Sequence, residues 1–236
     1  MRHILEIRLK NRVFSFIDFR GDFIDYLIRE TKYENVNIKG NRIDVASKDL
    51  SEAIFFSLEN FGFQIDAAND FKSFNEKATK LFSLLASYTK YSFDSVVRVG
   101  TKSSILSHHK GRGIDALKQK YKELFFKNNQ KLESNIGFNL TDLGYSFQDL
   151  EKNGNKLNLL TGPATKDEAI ARFFENKREL YEHYEKDNGI YIDIDYYQKK
   201  EQKISDLNTL KQQIEGNIVA IENVFEGVMK YIEDKP

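Results

Sequence analysis

Asp193 and Asp195 are the residues of this sequence whose types and spacing come nearest to a catalytic pair. They stand at i and i+2 in Gly189-Ile190-Tyr191-Ile192-Asp193-Ile194-Asp195-Tyr196-Tyr197. In a strand that spacing puts both carboxylates on one face, about 7 Å apart. Two such acids can hold Mg²⁺ and present a triphosphate, as nucleotide-processing enzymes do. The reaction also needs a third acid, for which Asp66 and Asp44 are the candidates, and a loop that cradles phosphate. No glycine-rich phosphate motif precedes a helix in this chain. The alternative is that both acids pair with basic residues on neighbouring strands, such as Arg98 or Arg8, or face water.

A second group is basic. Thr101-Lys102-Ser103-Ser104 and His108-His109-Lys110-Gly111-Arg112-Gly113 are followed by Lys118, Lys120 and Lys122. Glycines leave backbone N–H groups accessible and the lysines supply local positive charge, which suits contact with phosphate. Tyr121 or Phe126 can stack on a base. The nucleic-acid or phosphate reading therefore rests on Lys102, His108, His109, Lys110, Arg112 and Lys118. Its alternative is an exposed loop followed by a solvated helix face, with Glu123 offsetting Lys118 and Lys122. His108 and His109 are adjacent, and adjacent residues on a loop rarely ligate one ion together. His3 and His183 are isolated, and there is neither cysteine nor a His-x-x-x-His spacing, so a metal centre built on these side chains is not expected. No serine sits in a Gly-x-Ser-x-Gly elbow.

The elements that would position these groups are written in hydrophobic periodicity. Ile190, Ile192 and Ile194 alternate with Tyr191, Asp193 and Asp195, which predicts a strand with one buried face after the turn Asp187-Asn188-Gly189. Ser205 or Asp206 can cap the next element. There Leu207, Leu210, Ile214, Ile218, Ile221, Phe225, Val228 and Ile232 recur at steps of three and four, predicting a helix of about seven turns. Such a stripe can cross the sheet of its own chain or pair with a second copy as a coiled coil. Gly216 interrupts it at a cost of about 1 kcal/mol relative to Ala, which a close neighbour there would explain.

Earlier in the chain, strands are expected at residues 3–9, 13–19, 36–38, 43–45, 53–58, 63–66, 93–106, 136–140, 143–147 and 157–160. Helices are expected at 23–29, 71–88, 114–126 and 166–180. Lys39-Gly40-Asn41 and Asn153-Gly154-Asn155 read as hairpin turns. Gly162-Pro163 reads as a strand end. The fold class is thus α+β: antiparallel strands with packed helices and a long C-terminal helix. The unit strand–helix–strand recurs at 63–106 and 157–197. This suggests two similar halves, 1–130 and 131–236, within one large domain or as two small ones.

With 236 residues the chain can bury a core. Lys+Arg and Asp+Glu are both 36, so no global field draws it to nucleic acid or an anionic membrane. Disulfides and thiolate catalysis are excluded because there is no cysteine. The N-terminal residues lack the apolar core of a signal peptide, and no apolar run is long enough for a bilayer span. A cytoplasmic protein without cofactor or membrane partner is expected.

Three stretches carry a resemblance: Leu5-Glu6-Ile7-Arg8-Leu9, Phe74 to Gly100 with Val97-Arg98-Val99-Gly100, and Tyr191-Ile192-Asp193-Ile194-Asp195-Tyr196 with the helix after it. In these the chain resembles a sporadically distributed family of uncharacterised bacterial and archaeal proteins, over most of its length. It departs at Thr101-Lys102-Ser103, where that family tends to have Tyr and Asn, and again after the second-half hairpin. The resemblance implies the fold and transfers no catalytic residue. The family's scattered distribution implies an accessory role, such as genome defence or service to a partner encoded nearby. The overall expectation is a non-enzymatic binding protein acting through protein–protein contacts or self-association, by its sheet or its C-terminal helix. A nucleic-acid or nucleotide binder using residues 101–122, and a metal-dependent nucleotide-processing enzyme using Asp193 and Asp195, are the alternatives.

Overall fold

The computed structural model describes residues 1–108, 113–126, 129–137, 143–174, 178–181 and 188–233. In chain order these form β1 (Arg2–Leu9), α1 (Phe16–Thr31), β2 (Asn35–Lys39), β3 (Arg42–Ala46), β4 (Glu52–Phe56), β5 (Asn60–Ile65) and α2 (Phe71–Ser87). Next come β6 (Ser95–His108), α3 (Ile114–Phe125), α4 (Asn129–Ile136), β7 (Tyr145–Lys152) and β8 (Asn155–Thr165). The chain continues through α5 (Lys166–Ala169), a π-helical turn (Ile170–Phe174), α6 (Arg178–Tyr181), β9 (Asn188–Gln198), β10 (Gln202–Lys203) and α7 (Leu207–Glu233). The fold is α+β, as the alternating and helical periodicities predict.

The strands make one antiparallel sheet in the order β2-β3-β4-β5-β1-β6-β9-β8-β7. β10 pairs with β6 at Val96 and Ser95, along the edge that β9 leaves after Gln198. The pairing of β6 with β9 carries the sheet without a break from the first half of the sequence to the second. The two strand–helix–strand units differ in one respect. β5 and β6 are separated by β1, whereas β8 and β9 are direct neighbours.

Alternation along each strand assigns the two faces. Leu5, Ile7, Phe61, Phe63, Val99, Ile105, Ile192 and Ile194 are buried toward α1, α2, α3 and α7. Beneath α1 lies a cluster of rings: Phe16, Phe19, Phe23, Phe56, Phe61 and Tyr91, with Tyr91 donating its hydroxyl to the Ser57 carbonyl at 2.7 Å. Such rings bury large areas and prefer tilted or edge contacts, as here. α7 lies across β6 and β9 and against α2, burying Leu210, Ile214, Ile218 and Ile221. Its apolar stripe is therefore used within its own chain. On the other face, among the described residues, α5 and the π-helical turn cover one end, where Leu106, Ala164, Ala169 and Tyr191 pack together.

Several expectations need correction. The run from Val13 to Phe19 is not a strand: α1 starts at Phe16 and includes Gly21 and Asp22 in its body. Phe16, Phe19, Phe23 and Leu27, all buried, share one helical face, and burial of that stripe outweighs the cost of an interior glycine. Ile136 ends the helix α4 instead of opening a strand, and 138–140 lie outside the described residues. β8 does not stop at Gly162-Pro163 but runs to Thr165. Beyond Thr161, β7 no longer flanks it, so the N–H that Pro163 lacks is not needed by a ladder there. The helix expected over 166–180 is instead α5, the π-helical turn and α6. Asp70 and Asp206 do cap as expected, accepting from Ser73 N at 2.7 Å and Asn208 N at 3.0 Å.

Gly216 has no close neighbour: a Cβ there would meet nothing within 4 Å. The position is exposed on α7, so the glycine carries only its entropic cost. Gly216→Ala is expected to stabilise the protein by about 1 kcal/mol in denaturant unfolding.

His3 belongs to the core, not to a metal site. Its ring stacks on Phe74 with centroids 4.7 Å apart, and Nδ1 lies 2.7 Å from Ser103 Oγ. Burial, with a smaller contribution from the Met1 ammonium, lowers its pKa from 6.5 to about 3. Between those values the unfolded chain binds the proton and the folded chain does not. The stabilisation is therefore complete above pH 6.5 and is lost as pH falls toward 3. Unfolding measured from about pH 7 to about pH 5 should show stability falling by on the order of 1 kcal/mol per pH unit, with a shallower slope for His3→Phe.

Candidate functional site

The face of the sheet left open by the helices carries the polar residues of its central strands. Glu6 and Arg8 project from β1, Arg98 and Lys102 from β6, Asp193 and Asp195 from β9, and Asn158 from β8. Strand register brings them together: Lys102 is opposite Asp195, Ser104 opposite Asp193, Asn158 opposite Asp195, and Glu6 opposite Gly100.

Arg98 is the centre of this arrangement. Its Nη1 donates to Glu6 Oε2 at 2.7 Å, and its Nη2 lies 3.1 and 3.3 Å from the two oxygens of Asp195. The guanidinium also stands over the Tyr197 ring, 4.8 Å from its centroid. Gly100 makes this reach possible. A Cβ there would lie 2.8 Å from Arg98 Nη1, so the side chain occupies the space that any other residue would fill. Glu6 further accepts from Asn60 Nδ2 at 3.0 Å and from Arg8 Nε at 3.1 Å. Beside this row, Lys102 Nζ is 2.9 Å from Asp193 Oδ2, and Ser104 Oγ donates to Asp193 Oδ1 at 2.6 Å. Tyr197 continues the network by donating to Asp149 Oδ1 at 3.2 Å.

Both members of the acid pair are thus engaged by cations across the strand. Of the two arginines considered from sequence, Arg98 meets Asp195 and Arg8 turns to Glu6. Burial pushes the Asp195 carboxyl above its ordinary range, further than Arg98 and Lys102 pull it down; Asp193 adds to the rise. The candidate third acids are elsewhere. Asp66, on the stretch leaving β5, is buried against Arg2 Nε at 3.3 Å and Gln64 Nε2 at 2.6 Å. Asp44, on β3, holds Arg42 at 2.6 Å. At about 4.8 Å per strand these positions are roughly 14 Å and 24 Å from β9. Among the described residues, no group of three His, Cys, Asp or Glu side chains could hold a metal ion. A cleft of about 310 Å³ opens beside the acids, lined by Gln148, Asp149, Asn158, Asp193, Asp195 and Tyr197.

The basic group is spread out. Lys102 points from the open face, while α3, which carries Lys118, packs on the opposite one. Lys118 is close enough to Glu168 to help hold that carboxyl down, behind the backbone and side-chain hydrogen bonds from Thr165. His108 ends β6 with Nδ1 3.3 Å from the Asn188 carbonyl. His109, Lys110 and Arg112 lie outside the described residues. Tyr121 is not available for stacking on a base: it is fully buried, its hydroxyl 2.9 Å from Thr161 Oγ1. Lys122 pairs with Glu133 of α4 at 3.0 Å.

A second concavity lies on the helix side, where α3 and α7 part over the β7–β8 hairpin. It has a volume of about 490 Å³. Its walls include Phe125, Tyr145, Phe147, Val224, Val228 and Tyr231. The rings touch in series: Phe125 to Tyr145 at 4.8 Å, Tyr145 to Phe147 at 4.5 Å, and Phe125 to Tyr231 at 5.6 Å. Val224 and Val228 are only half-buried, although Ile232, one turn further along α7, is fully buried. Sequence periodicity placed Val228 in the α7 stripe but could not show that this end of the stripe lines a groove.

The Arg98 network makes a contrast that unfolding experiments can read. Arg98→Met strands two half-buried carboxylates and is expected to cost about 2–3 kcal/mol. Asp195→Asn removes the costlier ionised carboxylate and leaves Arg98 its bond to Glu6, so its change should stay within about 1 kcal/mol. Equal losses for the two variants would show that Arg98 is not the hub of the face.

No protein-family model matches the chain, and no curated protein matches it.

Proposed function

We propose that this protein is a non-enzymatic binding module that engages a protein partner through the groove between α3, α7 and the β7–β8 hairpin. The groove itself carries the reading: an aromatic-walled concavity of about 490 Å³ beside half-buried Val224 and Val228. Contiguous apolar surface of this kind marks contact sites, and aromatic anchors in pockets dominate their energetics. The open face supports the same reading. Its acids are neutralised by neighbouring cations, which leaves the carboxylate pair poorly suited to present a metal-bound phosphate.

An accessory role, with genome defence among the settings, rests on the family resemblance alone and is part of this proposal. So is a cytosolic location, with which a cysteine-free chain is compatible. Among the described residues no helix is long and apolar enough to cross a membrane.

The experiment is capture of the tagged full chain from its native cell, with and without nuclease, beside a Val224→Glu/Tyr231→Ala variant of matched thermal stability. A stoichiometric protein that survives nuclease and falls at least tenfold with the variant is the expected result. Retention of that protein by the variant would remove the groove from consideration. Recovery of nucleic acid alone, released by salt, would overturn the reading in favour of the basic residues.

A further inference from the structure

We propose that a second copy of this chain docks on the free edge of β2, joining two sheets into one about a two-fold axis at Asn37. Among the described residues β2 ends the strand order and is bonded only to β3. Its hairpin turn is Gly40-Asn41, with Gly40 at φ 57°, which fits a two-residue turn closed by Lys39 and Arg42. Hydrogen-bonded pairs to β3 then fall at Lys39, Asn37 and Asn35. The next ladder keeps the alternation, with Ser47 N donating to Glu52 O on the side of β3 that faces β4. The N–H and C=O groups of Val36 and Ile38 therefore point away from β3, into the free edge.

Those two residues are also the exposed apolar ones, at 39% for Val36 and 51% for Ile38. A two-fold axis at Asn37 sets Val36 against Ile38 of the second copy, and Ile38 against its Val36. Each becomes a hydrogen-bonded pair, so the outward groups satisfy one another in two reciprocal sets. Asn37 meets its own copy, and Lys39 meets Asn35, so no like charges are opposed. The segment Asn35-Val36-Asn37-Ile38-Lys39 is self-complementary in this register.

Helix α1 specifies the occupant further. It packs over β3, and Arg20 Nη1 donates to the Gly40 carbonyl at 2.9 Å. Its opposite flank is tied to α2 through Tyr26, whose hydroxyl donates to the Leu84 carbonyl at 2.9 Å. The flank with Ile17, Arg20, Ile24 and Ile28 therefore faces β2, and Ile17 is 54% exposed. In the joined sheet the two copies of α1 stand over strands three spacings apart, roughly 14 Å. That is wider than the roughly 8–10 Å of directly packed helices, so the two isoleucine flanks line a shared apolar cleft above the Val36 and Ile38 rows. A foreign strand on this edge would cover Val36 and Ile38 but would bring no second isoleucine flank.

The test is sedimentation of the full chain over a wide concentration range, with hydrogen exchange of the same samples. Dimer is expected, and amides of Val36 and Ile38 should exchange at least tenfold more slowly in it than at monomeric dilution. Ile38→Pro deletes an N–H that β3 does not use, on an edge where proline is tolerated, and should give a monomer with unchanged unfolding. Should that chain fail to fold, Val36→Lys with Ile38→Lys leaves the backbone intact and opposes like charges at the axis, with the same outcome expected. A wild-type chain that stays monomeric at several hundred micromolar would overturn the proposal. So would a dimer that survives these substitutions, or a wild-type dimer in which the Val36 and Ile38 amides exchange freely. Val224→Glu/Tyr231→Ala should dimerise normally, which separates this edge from the groove.

Discussion

The pairing of β6 with β1 on one side and β9 on the other is the constraint on which the rest of the molecule depends. β6 is the longest strand, and it alone joins the meander of β2 to β5, by way of β1, to the β7–β8–β9 unit. Because side chains alternate, this one register decides everything that faces either way. It turns Val99 and Ile105 toward the helices and gives α7 a surface to cross. It turns Arg98 and Lys102 the other way and brings them within reach of acids from two other strands. A slip of one residue would exchange the two faces, burying cations and exposing the core.

Helices on one face and charge pairs on the other follow from the same economy of area. α1, α2, α3 and α7 cover the apolar face. Among the described residues the other is covered at the Tyr191 end, where Gly144 and Gly162 leave room for that ring. Elsewhere its central strands carry acid–base pairs, and Arg42 lies over Phe55, 4.2 Å from the ring centroid. Arg98, Gly100 and Tyr197 show how closely such a face can be built. An absent side chain at one position gives a long one next to it a bed between two carboxylates and under a ring. The groove by α7 is the opposite case, apolar surface of the β7–β8 hairpin that α3 and α7 flank without closing over.

Elements with uninterrupted periodicity were legible in the sequence. β9 and α7 could be read because each repeats its apolar positions many times, and Asp70 and Asp206 because a cap is a local interaction. The second half of α1 was legible as a helix at 23–29, but its first turns were hidden: Val13 to Phe19 alternates for a few residues, and Gly21 breaks the helical repeat that Phe16, Phe19, Phe23 and Leu27 complete. Pro163 misled because proline is excluded only where a neighbouring strand needs its N–H, and strand neighbours are not written locally. The same is true of the open face. The spacing of Asp193 and Asp195 was visible, and so was Arg98 as a partner. Glu6 and Tyr197 were not, since their proximity to Arg98 exists only once β1, β6 and β9 lie side by side. Tyr121, offered with Phe126 as a ring to stack on a base, is core because α3 turns it toward Thr161.

The place of β1 in the sheet also orders the events of folding. His3 is opposite both Ile65 and Ser103, so the strand is held by closures of about sixty and about one hundred residues. The β2-to-β5 meander needs only short closures and can form first. Without β1, β5 presents an unpaired edge. By contact order, the closures made by β1 are among the costly ones in this sheet. Until β1 arrives, the growing sheet offers other chains the very backbone groups that it reserves for its own centre.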